Sequence, residues 1–163
     1  METGAFCSFQ EDTMSTIVTN LASRLSLLHL RYAVAYSLIT PTPDDDQYLM
    51  IAETFHAGLR ASNPDVVARV RALVDPMELT DDRANGFWST NLGRLLFAAG
   101  GFTESSMSRT MAAGVLDCSR QWIHELVVKG DLQAAPSLSG TDKYVFAERV
   151  RTLLIKRLDT LVK

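Results

Sequence analysis

The side chains that do chemistry in proteins are sparse in this sequence, and their spacing excludes most of the reactions they serve. Its three histidines, His29, His56 and His124, are dispersed, and no His, Cys, Asp or Glu pair lies at metal-ligand spacing beside a second pair. Cys7 sits in a polar leader with nothing nearby to lower its thiol pKa, and Cys118 occupies an apolar position that predicts a buried, inert thiol. The carboxylates Asp44, Asp45 and Asp46 follow Pro41 and Pro43 and precede a helical pattern, so they complement a helix dipole rather than form an acid–base pair. Gly100 and Gly101 form a helix stop, not a phosphate-binding loop. No enzyme, cofactor or metal is expected on these grounds.

Residues 106–130 carry a stricter pattern. Two short helices joined by a tight turn need a small residue where they cross, supplied by Ala113, and apolar residues on the first helix and in the turn, supplied by Leu116 and Cys118. The second helix needs an inward β-branched residue and a leucine three positions on, here Ile123 and Leu126, and Ser119 stands where its N-cap belongs. The segment resembles the helix-turn-helix, with Ala113, Leu116, Ser119, Arg120, Gln121, Ile123 and Leu126 in register. The sequel from Lys129 to Ala134 looks like the step after the recognition helix of excisionase-like and MerR-like winged domains. Residues 136–143 match the wing loop, Tyr144 to Phe146 its return strand, and a closing helix starts near Ala147.

The resemblance covers about residues 103–155 and implies contact with double-stranded DNA. On it, Arg120 and Gln121 fall in the first turn of the recognition helix, where Arg pairs with guanine and Gln with adenine. Ser119 serves as cap and phosphate donor. Trp122 suits the core or an interface as well as the groove, and His124 reads as a phosphate or base contact or as a plain surface residue. Lys129, Lys143, Arg149 and Arg151 are phosphate candidates. Two departures stand out: Asp117 replaces the usual turn glycine, and Glu125 lies on the recognition helix, where it repels phosphate or accepts from a cytosine amino group.

The elements that must position this segment are helical. Apolar spacing predicts helices over Ser15–Ile39, around Tyr48–Leu59, after Asn63 and Pro64, and from Thr80-Asp81-Asp82 through Phe87, Trp88, Leu92 and Leu96 to Ala99. The expected fold is mainly α: an N-terminal bundle of about four helices (14–102) for dimerisation, sensing or partner binding, then a winged helix-turn-helix with a small β-wing (103–163). The closing helix presents Val150, Leu153, Leu154, Leu158 and Leu161 on its apolar side.

Composition agrees with a globular chain: 47% of its 163 residues are hydrophobic and 21% charged, too apolar for disorder. Two distant cysteines exclude a disulfide framework. The longest apolar stretch, Leu25–Ile39, is broken by His29 and Arg31, and the N-terminus lacks the marks of a signal peptide, so a cytoplasmic, nucleoid-associated protein without membrane contact is expected. The net charge of −3 is uneven: residues 1–102 hold seven Lys and Arg against twelve Asp and Glu, whereas 103–163 hold nine against seven. A weakly basic C-terminal third is compatible with nucleic acid. The expected function is a sequence-specific transcriptional regulator, a bacterial or phage repressor acting as a homodimer. The alternatives are an excisionase-type DNA-bending factor, or an antitoxin whose N-terminal body holds a protein partner.

Overall fold

The computed structural model describes residues 14–36, 45–136 and 144–161. The expected leader, the end of the first helix beyond Tyr36, the Pro41–Asp44 break and most of the wing loop, including Lys143, lie outside those residues. Within them the chain is mainly helical, with a small three-stranded antiparallel sheet.

Helix α1 (Met14–Tyr36) lies against α2 (Asp45–Arg60). Ile17 and Leu21 of α1, with Tyr48, Ala52 and Leu59 of α2, are buried at the helical spacing read from the sequence, and Val18 is buried beside them. Helix α3 (Pro64–Ala72) starts as expected: Pro64 takes the first turn, where its missing N–H costs nothing, and Asn63 Oδ1 accepts from the N–H groups of Asp65 (3.0 Å) and Val66 (3.3 Å).

The next segment corrects the sequence expectation. No helix runs from Thr80 to Ala99. A single-turn helix α4 (Pro76–Leu79), capped by Asp75, comes first, then a turn, a 3-10 segment at Phe87–Ser89, and α5 (Asn91–Ala98). The competing force is local. Asp81 Oδ1 accepts from the Arg83 N–H at 3.1 Å, which offers the backbone a turn in place of a helix. Thr90 is extended (ψ 161°), and its hydroxyl accepts from Gly93 N–H at 3.0 Å, so a new helix begins there. Trp88 donates its indole N–H to Leu79 O at 2.9 Å and joins edge-to-face contacts with Phe87, Phe97 and Phe102. The stop after α5 is as expected: Gly100 takes φ +93°, and Gly101 N–H donates to Leu96 O at 2.8 Å.

Helices α6 (Arg109–Leu116), α7 (Arg120–Lys129) and α8 (Ala147–Leu161) follow, interleaved with strands β1 (Ser106–Ser108), β2 (Ala134–Ala135) and β3 (Tyr144–Phe146). Strand β3 is central, paired antiparallel with both neighbours: Met107 opposes Val145 on one side, and Ala134 opposes it on the other. The sequence reading has no counterpart of β1, whose three residues are too short for an alternating pattern to register. Val150 and Leu154 of α8 are fully buried, and Leu153 and Leu158 pack beside them. One hydrophobic core joins Leu21, Leu59, Leu96 and Phe97 to Leu116, Ile123, Val145 and Leu154, passing through residue 102 without a break.

Candidate nucleic-acid interface

The α6–turn–α7 unit is built from its own caps. Ser108 Oγ accepts from Met111 N–H at 3.1 Å and opens α6. Asp117 closes it in the left-handed conformation (φ 52°, ψ 57°), the geometry expected of a residue replacing the turn glycine. This lets Cys118 N–H reach back to Ala113 O at 2.9 Å. Ser119 Oγ accepts from Trp122 N–H at 3.1 Å and opens α7, and Gly130 (φ 85°) ends it, with Asp131 N–H on Leu126 O. Ala113, Leu116, Ile123 and Leu126 are buried as the packing pattern requires, and Cys118 is half-buried.

Distant elements clamp the turn from two sides. Arg94 of α5, itself buried, donates to Gly114 O at 3.0 Å and lies 3.4 Å from Asp117 Oδ1. Arg157 of α8 donates to Leu116 O. Both guanidiniums neutralise the carbonyl end of α6, where the helix dipole favours a cation. On its other flank α6 meets the Ala84 carbonyl so closely that a Cβ on Gly114 would stand 2.2 Å from that oxygen. The crossing residue named from sequence, Ala113, is buried, and Gly114 beside it is the close contact to the Ala84 turn.

What this scaffold presents outward is the face of α7 carrying Arg120, Gln121, His124, Glu125 and Val128, all exposed and spaced on helical turns, with Lys129 in the last turn. Among the described residues, Arg120 and Gln121 make no side-chain hydrogen bond, so their donors stand ready for an external acceptor. The structure therefore brings Arg120, Gln121 and His124 together.

It places other candidates elsewhere. Trp122 is half-buried and lies under the Arg157 guanidinium, 4.4 Å from ring centroid to Cζ, so its indole faces α8. The Ser119 hydroxyl is occupied as a cap. Arg149 is exposed on α8, a separate element, and Lys143 lies outside the described residues. Arg151 is committed to structure: its Nε donates to Ala98 O at 2.9 Å, and Nη1 lies 3.7 Å from Glu148.

Sequence reasoning missed Arg109, whose Nη1 lies 3.2 Å from His124 Nδ1. The one signal for it is a basic residue in the first turn of a helix, where the dipole disfavours it. Among the described residues, no cluster of three or more His, Cys, Asp and Glu is placed to hold a metal ion, and no helix is long and apolar enough to cross a membrane. No protein-family model, curated protein or solved structure matches this chain.

Proposed function

We propose that this protein is a sequence-specific double-stranded DNA-binding transcriptional regulator that lays α7 in the major groove. The observation that carries the reading is the α7 face. A capped helix held by a left-handed turn shows Arg120, Gln121 and His124 outward while Ile123 and Leu126 anchor it inward. Arg120 and Gln121 lie in the first turn, the part of such a helix that meets base edges; two guanidinium donors match guanine, and an amide donor and acceptor match adenine. The β2–β3 hairpin that follows supports a winged helix-turn-helix, with β1 as its third strand.

A single unit of this kind reads only a few base pairs, so a homodimer on paired half-sites completes the proposal. The N-terminal helices supply its surface. Leu49, Met50 and Ile51 are consecutive and exposed on α2, Leu27 is exposed on α1, and Met77 on α4.

The test is selection of binding sites from a randomised duplex pool by the purified full-length protein, followed by titration at two salt concentrations. Tight, salt-sensitive binding to a recurring site is expected. Arg120→Ala and Gln121→Ala should each weaken it by about 1–3 kcal/mol with the unfolding midpoint unchanged. Unchanged affinity in both variants would sink the proposal.

A further inference from the structure

His124 and Arg109 meet across the gap between α7 and the start of α6. Arg109 Nη1 is 3.2 Å from His124 Nδ1. A guanidinium has only donors, so for the two nitrogens to bond, Nδ1 must carry the lone pair and accept. In a neutral imidazole that leaves the hydrogen on Nε2, which is then a donor. His124 is exposed, and Nε2 has no partner among the described residues.

Arg109 holds this position at a cost. It occupies the first turn of α6, where a positive charge opposes the helix dipole, and its Nε is buried without a hydrogen-bond partner. A cation kept there against both penalties, with its guanidinium on an exposed ring of the outward α7 face, is placed to orient that ring.

We propose that Arg109 is a positioning residue that holds His124 as a single outward hydrogen-bond donor, and that His124 thereby reads one base by rejecting cytosine. The inference rests on the DNA-binding reading above. Guanine, adenine and thymine each show an acceptor in the major groove, whereas cytosine shows only its amino donor. A lone N–H donor therefore tolerates three bases and is repelled by the fourth. This specificity differs from the bidentate contacts open to Arg120 and Gln121, which favour one base each.

The experiment has two arms on the full-length protein. Long-range proton–nitrogen NMR of the His124 ring near neutral pH is expected to show Nε2 protonated and Nδ1 bare. Arg109→Met should move the ring toward a mixture of tautomers, and Arg109→Lys, which keeps a donor, should restore it. A native ring protonated on Nδ1 would overturn the inference without any DNA. In the second arm, site selection with the native protein should disfavour cytosine roughly tenfold at one position. Arg109→Met should lose that preference there and keep the others, and Arg109→Lys should retain it.

If Arg109→Met instead weakens binding uniformly and lowers the salt slope by about one, Arg109 is a phosphate contact and the positioning role is overturned. A native protein that selects no sequence fails the underlying reading. Sequence selection left unchanged at every position in Arg109→Met fails this inference alone. Unfolding midpoints of both variants separate loss of fold from loss of contact.

Discussion

The helical body and the α6–β3 region differ in the kind of surface each leaves exposed. In the body, Arg24 and Arg83 are paired with carboxylates of the same region. Arg24 of α1 makes a forked pair with Glu78 (2.9 and 3.2 Å) and lies over the Phe87 ring, and Arg83 chelates Asp81. The body also leaves large apolar side chains outside: Met50 is 64% exposed and Met77 81%. In the α6–β3 region most large apolar side chains go inward, Val128 and Tyr144 excepted, and α7 keeps the donors of Arg120, Gln121 and His124 outward. Surface of the first kind suits burial against another protein surface. Surface of the second kind suits a partner bearing many acceptors, which describes a nucleic acid.

The sharpest way to break this contrast is at the seam between the regions. Gly114→Val puts side-chain atoms into the Ala84 carbonyl, and neither backbone can yield without moving α6. A loss of about 3 kcal/mol is expected in urea unfolding, with DNA binding lost in parallel. A smaller but more selective effect comes from one residue type in the two settings. Arg94→Met leaves Gly114 O without its buried charged donor and Asp117 without its cation, for a loss of about 2 kcal/mol. Arg24→Met removes a more exposed pair and should cost less than about 1 kcal/mol. Equal losses would erase the distinction between a structural and a surface arginine.

The apolar surface has its own test. Met50→Lys should raise the dimer dissociation constant at least tenfold, about 1.4 kcal/mol, in analytical ultracentrifugation, with monomer stability unchanged. A monomeric native protein would remove the self-association surface from the proposal.

The smallest effect is a titration. Burial, and then the positive charge of Arg60 one turn on, hold the His56 pKa below its ordinary value near 6.5. The folded state thus binds its proton less readily than the unfolded chain, which makes the neutral form the stabilising one. Its contribution is present above pH 6.5 and declines as pH falls through 6.5 toward the folded-state value. Stability should drop on acidification across that window, and His56→Gln should flatten that part of the profile.

Much of the fold was legible because its signals are local. Asn63-Pro64, Ser119 and Gly100 act through hydrogen bonds and backbone preferences spanning a few residues, and Asp117 takes the left-handed turn its short polar side chain tolerates. The apolar faces of α7 and α8 follow from periodicity. The helix expected from Thr80-Asp81-Asp82 failed on equally local grounds: the Asp81 side chain closes a turn instead of opening a helix, and the cap that opens one is Thr90. Of the site, Arg120, Gln121 and His124 were legible as one helical face. Trp122 was legible only as a choice between core and groove, which its place beneath Arg157 directs toward packing.

The sequence by itself therefore determined where α3 and α7 open and where α5 stops, which sides of α7 and α8 turn inward, and which side chains are offered on α7. Tertiary structure alone decided how that helix is held. Arg94 reaches a carbonyl 20 residues away, Arg157 one 41 away and Arg151 one 53 away. Strand β1 exists only through its pairing with β3, and Arg109 finds His124 across 15 positions. The reason is physical. A cap or a left-handed turn is a short-range equilibrium that neighbouring residues set. An arginine that closes another helix's carbonyl end has no preferred partner until the core has fixed where that end lies.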